Sequence, residues 1–148
     1  MKHFLGLLAI AFAAVMTHGQ NTNPNGIPAY HPARPATTEK LPPILTEKQL
    51  ADQGLILPAQ KEAYKAAARA SSVLYQMPCY CYCDRNHGHK SLRSCFEGTH
   101  GANCGTCMQE ALYSYRQSKR GWTVKQIRDG IERGDYKMID LQNVAPVQ

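Results

Sequence analysis

Six cysteines lie within a single short stretch of this 148-residue chain. In PCYCYCD, Cys79, Cys81 and Cys83 occupy alternate positions with Tyr80 and Tyr82 in the gaps. Cys95 follows, and CGTC then places Cys104 and Cys107 three residues apart. His87, His89 and His100 share the same interval. Thiolate sulfur and imidazole nitrogen together suit Zn2+ and Cu(I). The same thiols can also exchange disulfides or be tied off as three bridges.

Spacing ranks these chemistries. In an extended segment alternate side chains share a face, so the three sulfurs would point one way and the two tyrosines the other. A helix would turn Cys81 away from Cys79 and Cys83. Pro78 and the aromatic residues in the gaps favour the extended form. CGTC reads as a helix start, where free backbone N–H groups and the helix dipole favour thiolate over thiol. Two thiolates on one tetrahedral zinc ion sit about 3.8 Å apart, given Zn–S bonds of about 2.3 Å. A CxC pair on a strand face and a CxxC pair on a helix turn can each reach that spacing. The expected ligands are therefore Cys79, Cys81, Cys83, Cys104 and Cys107, with Cys95, His89 and His100 completing the site or forming a second one. His87 and His89 flank Gly88 in a turn, where an exposed histidine is as much to be expected as a ligand.

Three functions follow from these thiols. The density of soft ligands puts first an exported metal-binding protein for storage, delivery or sensing. Zinc or copper(I) rank above an iron–sulfur cluster, because a protein exported unfolded cannot carry a preassembled cluster. The second is a thiol–disulfide redox protein, with Cys104 attacking, Cys107 resolving and the CxC pair as a second dithiol. Against it stands the lack of a βαβ pattern around CGTC. The third is a disulfide-stapled binding module with no chemistry of its own. Three thiols at alternate positions suit it poorly, since each must diverge to its own partner. No serine–histidine–acid set, phosphate loop or haem-attachment motif is present.

The elements that must hold these residues are helical. The chain opens MKHFLGLLAIAFAAVMTHGQ, a basic start and an apolar run too short to span a bilayer. It reads as a secretory signal over residues 1–19, cleaved near Gly19, with a periplasmic or secreted product. Residues 20–45 are rich in proline and read as a disordered linker that holds the folded part away from a membrane or cell-envelope partner. The net charge of +6 is read as a solvated face rather than a nucleic-acid surface, because acidic residues are interspersed with the basic ones.

A mainly α domain is expected over residues 46–140, with four helices, an extended cysteine segment and a flexible tail at 141–148. TEKQ is a capping box at Thr46, and Gly54 closes that helix. Pro58 suits the first turn of a second helix running to Tyr75, with Tyr64, Ala67, Ala68, Ser71, Leu74 and Tyr75 facing inward. Pro78 stops it. A third helix starts near Asn103 or Thr106 and ends at Gly121, with Met108, Leu112 and Tyr115 on its inner edge. TVKQ caps the fourth at Thr123, Val124, Ile127 and Ile131 face inward, and Gly134 ends it. SLRSCFE adds one helical turn. So small a folded region needs a cross-linking device, and the cysteines supply the candidates.

Pro78, Cys79, Tyr80, Cys81 and Cys83, followed by His89, Cys95, His100, Cys104 and Cys107, carry a resemblance to a known family. Over Pro78 to Ile131 the chain resembles the uncharacterised bacterial exported proteins named for a PCYCGC or CYCXC motif. The family's description as (seleno)proteins implies redox chemistry in some members, and metal or iron–sulfur binding has also been proposed for it. Many members resemble lipoproteins, but the apolar leader here is followed by no lipid-accepting cysteine.

Overall fold

The computed structural model describes residues 26–148. The expected signal segment and residues 20–25 of the linker lie outside the described residues. Six α-helices and three short 3-10 helices form the fold, and the described residues contain no strand. No helix among them is long and apolar enough to cross a membrane.

The capping signals act where the sequence places them. In α1 (Glu47–Ala51), Thr46 Oγ1 accepts from the Gln49 amide at 3.3 Å while Gln49 Oε1 accepts from the Thr46 amide at 2.8 Å. Pro58 opens α2 (Pro58–Arg69). The helix expected to run on to Tyr75 breaks at Ala70, whose backbone leaves helical geometry, and resumes as α3 (Ser71–Leu74). Tertiary contact replaces helix continuation here, because Arg93 Nε donates to Ser71 Oγ at 2.8 Å just past the break. The inward face of α2 is Ala59, Ala63, Tyr64, Ala66 and Ala67; Ala68, expected inside, is exposed.

A further short helix, α4 (Cys83–His87), ends at Gly88 in the left-handed conformation. The turn expected of SLRSCFE is the 3-10 helix Leu92–Phe96. A second 3-10 helix, His100–Asn103, leads into α5 (Gly105–Lys119). The third helix is thus capped by Cys104, not by Asn103 or Thr106. The fourth expected helix is α6 (Val124–Arg133), with its capping box at Thr123 and Gly134 beyond its end. The last 3-10 helix is Asp135–Met138.

The small-residue face of α2 lies along α5, which is buried continuously from Glu110 to Tyr115. Short side chains allow that close approach. Around the pair, Leu50, Leu74, Met77, Leu92, Phe96, Leu112 and Ile127 are fully buried. Tyr64 meets Phe96 edge to face at 4.9 Å and donates through its hydroxyl to the Gly98 carbonyl.

Residues 26–45 contain no helix or strand, yet they are docked rather than a free linker. The Ala29 amide donates to Asp84 Oδ2 at 3.0 Å, and the His31 ring stacks on Tyr75 at 3.8 Å. Arg128 lies over Tyr30 at 4.2 Å, and Arg93 Nη2 donates to the Pro42 carbonyl at 2.7 Å. Proline stiffening reduces the entropy lost on docking, which composition alone does not reveal. The C-terminal residues also return to the body: the Val147 amide donates to Glu62 Oε2 at 2.6 Å, and Val144 and Val147 pack on the core. Of the basic residues read as a solvated face, Arg93 is buried, and Arg128 donates to the Gln76 carbonyl at 3.1 and 3.2 Å.

Candidate metal centre

The three-cysteine segment is a turn, not an extended strand. Pro78 ends the run that leaves α3, and the Tyr82 amide donates to the Cys79 carbonyl at 3.0 Å. Tyr82 then adopts φ 57° and ψ 32°, left-handed values that the structure records at no other non-glycine described residue. Alternation fails for that reason, and the turn itself brings the sulfurs together. Cys79 Sγ lies 3.3 Å from Cys81 Sγ, and Cys83 is carried onto the first turn of α4.

Two triangles of donors result. In one, Cys107 Sγ on α5 lies 3.4 Å from Cys79 Sγ and 3.6 Å from Cys81 Sγ. In the other, Cys83 Sγ and Cys95 Sγ are 3.3 Å apart, and His89 Nδ1 lies 3.2 and 3.3 Å from them. His100 Nε2 approaches Cys81 Sγ at 3.7 Å. Cys104 Sγ, at the helix start, accepts from the Cys107 amide at 3.4 Å. None of the six cysteines is in a disulfide. Their separations far exceed the S–S bond of about 2.05 Å and fall just short of the roughly 3.8 Å between thiolates on a tetrahedral ion.

All eight residues expected as ligands meet here. Cys81, His100, Cys104 and Cys107 have ligand atoms within 4.8 Å of one another, as do Cys83, His89, Cys95 and His100. Cys79 groups in the same way with Cys81 and Cys83, and with Cys95 and Cys107. The set is chemically fit for a thiophilic ion, since it offers sulfur and imidazole in the fours that such ions take.

The negative charge is unevenly shared. The Cys81 thiol is held far below its usual range by hydrogen bonds from neighbouring thiols, Cys104 first and then Cys107. Cys95 is lowered to about 3, with Cys107 the leading cause. Cys79, Cys83 and Cys107 are pushed up, led by their contacts to Cys107, Cys79 and Cys104 respectively. Cys104 is also raised: the Cys107 contact lowers it, but the hydrogen bond to Cys81 and burial outweigh that contact. Helix-start stabilisation, expected to make Cys104 the thiolate, therefore yields to a neighbouring sulfur that already carries the charge. His89 is raised, chiefly by its hydrogen bond to Cys95.

One further participant was not expected. Glu110 on α5 is fully buried, and its Oε1 accepts from the Tyr80 amide at 2.9 Å, holding the cysteine turn against the helix. Burial pushes its carboxyl up to about 8, and Oε2 has no partner. A glutamate amid helix-forming residues gives no sequence signal of burial. His87 is exposed, but its ring lies 4.7 Å from that of His100. Across a narrow cleft, Pro28 and Ala29 face Cys79, Cys83 and His89.

A family model described as "Protein of unknown function with PCYCGC motif" matches residues 34–139. The match extends beyond the cysteine region, from within the Pro-rich segment to the last 3-10 helix and just past it. Neither a curated protein nor a solved structure matches the chain. The motif in that description has glycine where this chain has Tyr82, and that is the position with the left-handed backbone. Glycine adopts such a conformation without steric cost.

Proposed function

The chain belongs to the PCYCGC-motif family, and we propose that it is an exported metal-binding protein whose Cys/His cluster takes up zinc or copper(I) for storage, delivery or sensing. One observation carries this reading. Six sulfurs and two imidazoles converge on one region, and none of the six cysteines is in a disulfide. Bringing so many thiols together without a cation is costly, because each thiolate repels the next. A bound ion offsets that repulsion and replaces the protons, so metal uptake and folding are coupled. Export rests on the apolar leader, and zinc and copper(I) on the softness of the donors.

The test is native mass spectrometry of protein purified from its own compartment, before and after alkylation without reductant. At least one bound ion per chain, with the cysteines becoming alkylatable on its removal, is the expected result. A metal-free chain with every thiol oxidised would sink the proposal. It would point instead to a disulfide-stapled module, or to an exchange protein using Cys104 and Cys107.

A further inference from the structure

The donors surround two points rather than one. Resting on the metal-binding reading, we propose that the cluster is binuclear. An inner ion sits on Cys83, His89 and Cys95, an outer ion sits on Cys81, Cys104 and Cys107, and Cys79 and His100 between them supply the fourth ligand to each.

The count of donors leads there. A thiolate–imidazole zinc site is closed by four ligands, and the eight residues assembled here divide into two such sets. His100 falls within reach of both sets. Its Nε2 lone pair can satisfy only one ion, however, so the other ion must take its fourth ligand elsewhere. Cys79 is the donor placed to supply it. Its sulfur lies 3.3 Å from Cys81 and 3.4 Å from Cys107 on the outer side. It also falls in one group with Cys81 and Cys83 and in another with Cys95 and Cys107. A single ion on the outer set would leave Cys83 and Cys95, exposed by only 3% and 0%, as an unused pair beside His89.

The two positions differ in access. Pro28 and Ala29 stand in front of Cys83 and His89, and Cys83 and Cys95 are buried. Cys81, Cys104 and His100 are each partly exposed. The outer ion is therefore the exchangeable one and the inner ion the resident one, a division suited to a protein that hands metal on without unfolding.

The experiment uses the reduced full chain loaded with Zn2+ or cadmium-113. Native mass spectrometry should find two equivalents at saturation, and a chromophoric chelator should remove them in two phases of one equivalent each. Cys104→Ser should lose the fast equivalent and keep the slow one. Cadmium-113 NMR of the unsubstituted chain should show two resonances, a readout that needs no variant to fold. One equivalent, or one resonance, overturns the paired site and leaves metal binding standing. No bound metal overturns both. Release in a single phase overturns the division into inner and outer ions.

Discussion

At the scale of single residues, Tyr82 and Glu110 set the cysteine turn. A bulky side chain at positive φ costs about 1–2 kcal/mol. Here the cost is offset by packing: the Arg85 guanidinium lies 4.0 Å over the Tyr82 ring, and Tyr80 meets it edge-on at 5.9 Å. Tyr82→Ala keeps the strain and loses the packing, whereas Tyr82→Gly loses both. Tyr82→Gly should therefore be more stable than Tyr82→Ala by about 1 kcal/mol, measured by denaturant melts of the metal-loaded forms. Glu110 works through the Tyr80 amide, and so acts on the ligands by positioning them. Glu110→Ala should weaken metal binding about tenfold or more in chelator competition, as loss of an outer-shell partner does. Glu110→Gln keeps an acceptor for Tyr80 and should restore most of the affinity.

At the scale of elements, the site depends on how closely the 3-10 helix His100–Asn103 approaches the one before it. A Cβ on Gly101 would sit 2.9 Å from the Cys95 carbonyl and from the Phe96 ring. Gly101→Ala must push apart the two segments that carry His100 and Cys95. The expected loss is about 1–3 kcal/mol, as in other overpacked cores, together with a lower metal stoichiometry by mass spectrometry. Arg93 ties three elements together, binding Ser71, Pro42 and Glu97 from a buried position. Its replacement by alanine should cost about 2–3 kcal/mol in urea melts, the range for hydrogen bonds to a charged group.

At the scale of the whole molecule, alanine is the commonest residue of the core, and four of the six cysteines, Cys79, Cys83, Cys95 and Cys107, are buried in it. Thiolate zinc sites contribute about 10–16 kcal/mol, as much as a whole small domain needs. Removing metal with a strong chelator should therefore lower the melting temperature steeply, and added free metal should raise it by mass action. The C-terminal segment has a different dependence. Burial pulls the Glu62 carboxyl upward, but the Val147 amide and Lys65 outweigh it and hold the group below its usual 4.5. A depressed carboxylate pKa stabilises the docked state above the unfolded value, and the gain disappears as pH falls through the folded one. Below about pH 4.5 the Val147 amide should lose its protection from hydrogen exchange before the core does.

Local chemistry was legible in the sequence. Thr46 and Thr123 with their glutamines, Pro58 and Gly134 fixed helix ends through short-range hydrogen bonds and backbone sterics, so no tertiary information was needed. The candidate donors were legible for the same reason, because the cysteines and histidines between Cys79 and Cys107 carry their donor chemistry wherever they lie. Geometry was not. The break at Ala70, met by Arg93 on Ser71, and the burial of Glu110, met by the Tyr80 amide, each trade a local preference for a contact far along the chain. The turn at Tyr82 and the cap at Cys104, by contrast, are choices among local options that composition leaves open. Sequence thus determined which atoms offer soft-donor chemistry. Only the packing of α2 against α5, with the Pro-rich segment over the cysteine turn, decided how those atoms are grouped, because relative placement comes from long-range burial.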